Sequence, residues 1–166
     1  MPRGMKHAFT EKRNGLTNAI ISKIEIRANH RSIKVNAVWD TGATGSCISK
    51  NVAQDLGLIP VGFAEANTAN GRTLSNEYIV DIAFPEDSLI LENMRVRDFS
   101  GGPHIDMLIG MDIIIRGDFS ITNANNKTFM SFRVPSDVFH IDYVAIANKT
   151  KQGKLMGDQL KKNQKG

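Results

Sequence analysis

The stretch Asp40-Thr41-Gly42-Ala43-Thr44 follows a run, Ile33 to Trp39, in which apolar and polar residues alternate. Alternation with a period of two predicts a β-strand that buries one face. An Asp-Thr-Gly at the end of such a strand places a carboxylate on a tight turn that glycine permits, where backbone N–H groups can hold it. Asp-Thr-Gly occurs once in the chain. Hydrolysis by a pair of carboxylates would therefore need a second copy of the chain.

The sequence around this motif predicts mostly β-structure with one or two short helices. Ser49 to Leu56 suits a helix, with Ser49 as its N-cap and Gly57 as its C-terminal stop. Asn70-Gly71 predicts the turn of a long hairpin, because both residue types tolerate positive φ. Strands are predicted at Ile20–Arg27, Ile33–Trp39, Phe63–Thr68, Thr73–Phe84, Leu89–Leu91, Met94–Val96, Met107–Ile109, Phe119–Thr122, Thr128–Val134 and Phe139–Ala147. Ile113–Ile115 fits either a short helix or a buried strand.

Length and charge predict one folded domain between two basic ends. The chain has 166 residues and a hydrophobic fraction of 41%, which suffices for one sizeable core. We expect a flexible N-terminal segment at 1–15, a folded domain at 16–148 and a basic tail at 149–166. The tail carries six lysines against one acid, Asp158. A solvated tail is the favoured interpretation, and nucleic acid is an unlikely partner, because the tail lacks the aromatic and arginine side chains that contact bases.

Several classes of protein are disfavoured by the composition. No apolar run approaches the roughly 20 residues of a membrane helix, and no apolar signal-peptide core follows Met1. Cys47 is the only cysteine, so a disulfide within the chain is impossible. We therefore expect a cytoplasmic protein that does not bind membranes.

Three motifs occur in a characteristic order: the strand followed by Asp40-Thr41-Gly42-Ala43-Thr44, the hairpin with Asn70-Gly71, and Leu108-Ile109-Gly110-Met111-Asp112 before a short apolar segment. In this order they resemble the retropepsin-like aspartic proteases, the single-domain relatives of the pepsins, and more closely the bacterial and cellular members than the retroviral ones. The resemblance covers roughly residues 20–134. It implies a mostly β acid-protease barrel, a homodimer, and cleavage of a protein or peptide substrate without a metal or organic cofactor.

The resemblance also implies roles for individual residues. Asp40 would be the catalytic carboxylate, Thr41 would bond to the facing subunit's loop, and Gly42 would supply an N–H donor. The residues implied in substrate binding are Ala43 and Thr44 beside the catalytic turn and Asn70 and Gly71 near the tip of a hairpin flap. The segment Leu108-Ile109-Gly110 would support the catalytic turn from beneath.

Other constellations in the chain are weaker. The four histidines are scattered without ligand spacing, which disfavours a metal site. Cys47 favours a small buried role, and Ser46 lacks the pattern of a nucleophile elbow. Asp112 is predicted to cap the segment that follows it. The leading alternative to an aspartic endopeptidase is a dimeric peptide-binding or assembly module that keeps the same fold with weak catalysis.

Overall fold

The structure is a computed structural model that describes residues 7–68, 71–138 and 140–151. It confirms the prediction of a mostly β protein with short helices. Ten strands, two α-helices and one 3₁₀ turn are arranged along the described part of residues 7–134, and residues 143–151 form a further helix. In chain order these are β1 His7–Lys12, β2 Ile21–Ala28, β3 Arg31–Trp39, β4 Cys47–Ser49, α1 Lys50–Asp55, β5 Gly62–Thr68, β6 Gly71–Ala83, the 3₁₀ turn Pro85–Asp87, β7 Ile90–Phe99, β8 Met107–Ile109, α2 Met111–Ile114, β9 Asp118–Ala124 and β10 Lys127–Val134.

The larger sheet closes on itself as a small barrel. Its seven strands follow the order β2-β3-β8-β4-β7-β6-β5, and β2 also pairs with β6. Short β8 lies parallel to β3, with Trp39 opposite Ile109, and antiparallel to β4. This arrangement brings the end of β3, where the Asp-Thr-Gly turn begins, directly beside the start of α2.

The smaller sheet has the order β1-β10-β9. In it, β1 pairs antiparallel with β10 over its whole length, from His7 opposite Val134 to Lys12 opposite Phe129. The prediction of a flexible segment at 1–15 is therefore wrong for residues 7–12, and residues 1–6 lie outside the described residues. Strand β1 alternates half-buried and exposed residues, but charged and polar residues dominate this short stretch, so the sequence carries only a weak apolar signal for a strand.

An aromatic cluster joins the two sheets beneath the Asp-Thr-Gly turn. Trp39 stacks on Phe119 with ring centroids 4.9 Å apart and meets Phe132 edge-on at 5.0 Å. The Trp39 indole N–H donates to the buried Ser22 hydroxyl over 2.9 Å, so its only polar atom is satisfied. Phe9 and Phe84 complete the cluster. Trp39, the residue before Asp40, is thereby fixed on several sides.

Local sequence signals account for most element boundaries. The Ser49 hydroxyl accepts from the Val52 N–H at the start of α1, and Gly57 follows the helix with φ of +61°, as predicted. The ambiguous Ile113–Ile115 run belongs mainly to helix α2. The two predicted runs near residue 90 form one strand, β7, in which Asn93 takes a φ of +55°.

The chain divides into two compact units, residues 1–136 and residues 137–166, so the division falls before the predicted domain end at 148. The strand predicted at Phe139–Ala147 is wrong where the structure describes it, because residues 143–151 are helical. The Asp142 carboxylate accepts from the N–H groups of Val144 and Ala145 and so caps this helix. In the part of the chain that the structure describes, no helix is long and apolar enough to cross a membrane.

Candidate active site

Asp40 lies on a tight turn whose backbone is fixed at both ends. Its N–H donates to the Ile109 carbonyl over 2.9 Å, which continues the pairing of β3 with β8 past the end of the strand. The Gly42 N–H donates to Asp40 Oδ1 over 2.9 Å. The turn therefore holds one carboxylate oxygen in place, as the Asp-Thr-Gly sequence predicted, and the side chain is half-buried.

The segment between β8 and α2 supports the rest of the turn. The Met111 N–H donates to the Ala43 carbonyl over 2.8 Å, and the Asp112 N–H donates to the Thr44 carbonyl over 3.2 Å. Together with the bond from Asp40 to Ile109, these contacts attach the turn at three successive points to one continuous segment. Segments far apart in sequence thus become one rigid unit beneath the carboxylate.

Gly110 allows this close approach. A Cβ atom at this position would lie 2.7 Å from the Gly45 carbonyl carbon and oxygen and 3.0 Å from the Ala43 carbonyl oxygen. These neighbours are backbone atoms, which cannot rotate away as a flexible side chain could. The support role predicted for Gly110 therefore has a steric basis: any larger residue would separate the two segments.

Ser46 supports the same unit from within, which the sequence did not reveal. Its hydroxyl donates to Asp112 Oδ1 over 2.7 Å and accepts the Gly110 N–H over 3.0 Å, and Ser46 is buried. Asp112 was predicted to cap the segment that follows it. Gly110 holds the N-cap position of α2, and Asp112 Oδ1, in the first turn, accepts both the Ile113 N–H over 3.0 Å and the Ser46 hydroxyl. A buried serine near a catalytic motif gives no distinct signal in a single sequence.

The upper surface of the turn is open. Thr41, Gly42 and Thr44 are exposed, whereas Ala43 is half-buried. The structure thus brings five of the predicted site residues together, from Asp40 to Thr44. An exposed Thr41 and Gly42 on a rigid base form a surface that another protein or a substrate can approach.

The predicted hairpin is present as β5 and β6, whose register runs from Gly62 opposite Glu77 to Thr68 opposite Gly71. Gly71, predicted in the turn, is the first residue of β6 and has a φ of +108°, a conformation that favours glycine. Asn70 lies outside the described residues. The hairpin exposes Phe63 and Leu74 by 67% and 73%, and their pairing partners Asn76 and Glu65 place both side chains on one face.

Among the described residues, neither a cysteine nucleophile nor a metal site is supported. Cys47 is half-buried, and burial raises the pKa of its thiol, so the reactive thiolate is disfavoured. No group of three or more His, Cys, Asp or Glu side chains in the described ranges could hold a metal ion. Of the histidines, His7 approaches the Ser88 carbonyl oxygen at 3.2 Å, an ordinary structural contact.

Comparison with known proteins identifies both a family and a fold. A family described as "gag-polyprotein putative aspartyl protease" matches residues 24–116, more than half of the 166 residues. No curated protein matches the sequence. The chain is similar to a retropepsin-like aspartic protease from Rickettsia conorii, with a TM-score of 0.51 and 14% identity over 81% of this chain and 99% of that one.

A second solved structure, the EIAV protease complexed with the inhibitor HBY-793, matches with a TM-score of 0.46 and 18% identity over 60% of this chain and 88% of that one. The family match and the Rickettsia structure together confirm the predicted resemblance and the retropepsin-like fold.

Proposed function

The chain belongs to this gag-polyprotein aspartyl protease family, and on that premise we propose that it is an aspartic endopeptidase active as a homodimer. Each chain supplies one Asp40, and the two turns face each other across a two-fold axis. The observation that carries the proposal is the anchoring of the Asp40 carboxylate by the Gly42 N–H at 2.9 Å, on a turn attached to the segment between β8 and α2.

The chemistry follows from two carboxylates in one site. At about 3 Å apart, two such groups cannot both ionise easily, so they share a proton. The ionised Asp40 takes a proton from a water molecule, which attacks the peptide carbonyl. The protonated Asp40 polarises that carbonyl and then gives its proton to the departing amine. The apparent pKa values of this reaction belong to the pair.

The surroundings of Asp40 support this role. A turn held by backbone bonds keeps the carboxylate in position without reorganisation during the reaction. Thr41 and Gly42 are exposed in the single chain, which leaves them available to the facing turn, where Thr41 would form a hydrogen bond between subunits. A monomer built in this way presents half of an active site.

The hairpin of β5 and β6 would cover an extended peptide. β5 has a paired neighbour on one side only among the described strands, and Phe63 and Leu74 expose apolar side chains. An extended substrate can pair with flap backbone while its side chains contact apolar residues. Ala43 and Thr44 would contact the substrate from the opposite side, beside the catalytic turn.

The test is cleavage of a diverse peptide library, followed by mass spectrometry, with the wild-type protein and Asp40→Asn compared. The substitution keeps the size of the side chain and removes its ionisable group. We expect the variant to fold normally and to lose cleavage entirely, since the remaining amide can neither activate water nor donate an acidic proton. Cleavage at the wild-type rate by Asp40→Asn would refute the mechanism. A stable wild-type dimer that cleaves no peptide would favour the binding-module alternative.

A further inference from the structure

The carboxylate of Asp98 is buried at the root of the hairpin formed by β5 and β6. Asp98 lies near the end of β7 and is 5% exposed. Its Oδ1 accepts the Asn76 N–H over 3.0 Å, and its Oδ2 accepts the Asn76 side-chain amide over 2.7 Å and the Tyr78 hydroxyl over 3.4 Å. Both donor residues belong to β6. One side chain of β7 thus binds three donors of the strand that continues into the hairpin.

The hydrogen-bonding capacity of a carboxylate explains why an acid occupies this position. All three donors are uncharged, and a buried charge is costly unless hydrogen bonds compensate for it. A carboxylate accepts through both oxygens, so Asp98 satisfies a backbone N–H, an amide and a hydroxyl at once. Burial raises the pKa of the Tyr78 hydroxyl, and the Asp98 charge raises it further, so this hydroxyl remains a donor. The carboxylate therefore holds β6 through a complete set of donors.

These contacts fall where β6 leaves the barrel. β6 pairs with β7 from Ala83 as far as Glu77, which lies opposite Arg97. Among the described strands, residues 71–76 of β6 pair only with β5. At Asn76, the first residue beyond the β6–β7 ladder, the Asp98 side chain takes the place of a backbone carbonyl as the acceptor. Asp98 therefore sets the point at which the hairpin separates from the barrel.

The other side of β7 is attached to the segment behind the catalytic turn. The Arg97 N–H donates to the Ser46 carbonyl over 3.1 Å, and Asp98 itself lies opposite Ile48 of β4. The Ser46 hydroxyl also accepts the Gly110 N–H, which belongs to the support of the catalytic turn. β7 thus connects the root of the hairpin, through the Asp98 side chain, to the catalytic turn, through backbone bonds.

We propose that Asp98 is a positioning residue for peptide cleavage, which fixes the distance between the β5–β6 hairpin and the catalytic turn. The inference rests on the proposed function, in which an extended peptide pairs with the backbone of this hairpin. Asp98 acts through Asn76, whose position determines where the hairpin begins to project from the barrel.

Peptide cleavage by Asp98→Asn tests this role. The substitution keeps the size of the side chain and replaces one accepting oxygen with an amide that donates. A hairpin without its anchor binds the ground state and the transition state less well by the same amount, so KM should rise about tenfold while kcat changes less than about twofold. An unchanged KM, or a loss of kcat at unchanged KM, would overturn the proposal.

Asp81→Asn is the matched control for this substitution. The Asp81 carboxylate accepts the Asn93 N–H over 2.8 Å, so it also bonds a backbone donor between β6 and β7, but at the β-bulge, away from the hairpin. Both variants lose a carboxylate that joins these strands, and urea unfolding should show a loss of stability in each. Only Asp98→Asn should change KM. An equal rise of KM in both variants would assign the effect to general destabilisation and overturn the proposal.

Hydrogen exchange followed by mass spectrometry supplies a readout that does not depend on catalysis. The amides of residues 62–68 in the hairpin should exchange about tenfold faster in Asp98→Asn than in the wild-type protein, because their strand pair opens more often without its anchor. Asp81→Asn should leave this exchange at the wild-type rate, and the amides of the catalytic turn should be unchanged in both variants. Wild-type exchange of the hairpin in Asp98→Asn would overturn the proposal.

Asn76→Ala keeps the test decisive if Asp98→Asn does not fold. It removes the side-chain amide alone and leaves the backbone N–H of residue 76 bonded to Asp98. KM and the hairpin exchange rate should then both rise by about threefold, because one of the three charge-assisted hydrogen bonds is lost. A wild-type KM together with wild-type exchange for Asn76→Ala would also overturn the proposal.

The two proposals fail separately. A wild-type protein that cleaves no peptide, but whose hairpin exchanges faster after Asp98→Asn, would refute the endopeptidase and leave Asp98 as the anchor of the hairpin. An active protein whose KM and hairpin exchange do not respond to Asp98→Asn would refute the role of Asp98 and leave the endopeptidase standing.

Discussion

At the scale of single residues, the site depends on small residues that allow the segment of residues 40–45 and the segment around Gly110 to pack closely against each other. The Asp40 carboxylate receives one N–H bond from Gly42, and the turn that carries it rests on Gly110. The buried Ser46 hydroxyl satisfies the Gly110 N–H and an oxygen of Asp112. Leaving such a buried donor without an acceptor costs about 1–3 kcal/mol, so each of these contacts contributes to the rigidity of the turn.

Gly110→Ala should lower the free energy of unfolding by about 1–3 kcal/mol, because its Cβ has no space against the Gly45 backbone. It should also reduce kcat far more than an equal loss of stability elsewhere, since the catalytic turn must shift. Chemical denaturation and peptide cleavage measure the two effects. Gly102→Ala is the control, because a Cβ there meets no atom within 4 Å. Wild-type stability and activity in Gly110→Ala would contradict the support role.

At the scale of elements, capping and strand register position the site. Helix α1 begins directly after β4, so its N-cap Ser49 also belongs to the strand that pairs with β8 and β7. The cap therefore fixes the point at which the chain passes from strand β4 of the barrel into helix α1.

Ser49→Ala should destabilise the protein by about 1 kcal/mol, the usual cost of losing an N-cap hydroxyl. The lost contact is the bond from the Val52 N–H to Ser49 Oγ, at 3.3 Å. Exposed Ser100, outside the strands, gives the control variant Ser100→Ala, for which we expect a change within about 0.5 kcal/mol. Equal unfolding curves for the two variants in urea would show that the cap contributes nothing.

Some of these elements could be predicted from the single sequence and others could not. Strand alternation, the Ser49 cap and Asp40-Thr41-Gly42 carry local signals, so strand β3, helix α1 and the turn that holds the Asp40 carboxylate were predictable. Strand β1 was not predicted because its inward-facing residues are only half-buried and the stretch contains charged residues. The strand predicted at residues 139–147 was wrong for the described residues 140–147, because β-branched and aromatic residues suggested β-structure, whereas the Asp142 cap favours a helix. The role of Ser46 depends on contacts with residues 64 and 66 positions away, which no local pattern reveals.

At the scale of the whole molecule, the protein combines one barrel-based unit with a basic C-terminal end. The barrel and the smaller sheet share the aromatic cluster around Trp39. All the residues brought together at the candidate site belong to the unit of residues 1–136. The proposed chemistry therefore depends on this unit and, in the proposed homodimer, on its second copy.

A chain that ends at residue 148 should keep its cleavage activity and its melting temperature. The lysine-rich stretch removed has few apolar residues, and its described part, residues 149–151, is exposed. Peptide cleavage and thermal unfolding of the shortened and full chains, measured at equal concentration, test this expectation. A shortened chain that unfolds or loses activity would assign the tail a structural role.

The central claim is that one active site contains two Asp40 carboxylates from two chains. The most direct measurement equilibrates wild-type chains with a ninefold excess of Asp40→Asn chains and follows peptide cleavage. Random exchange leaves about one-tenth of the wild-type chains paired with each other, so activity should fall about tenfold. The same mass of an inert protein should leave it unchanged. Full activity in the mixture, with subunit exchange demonstrated, would contradict the paired-carboxylate account.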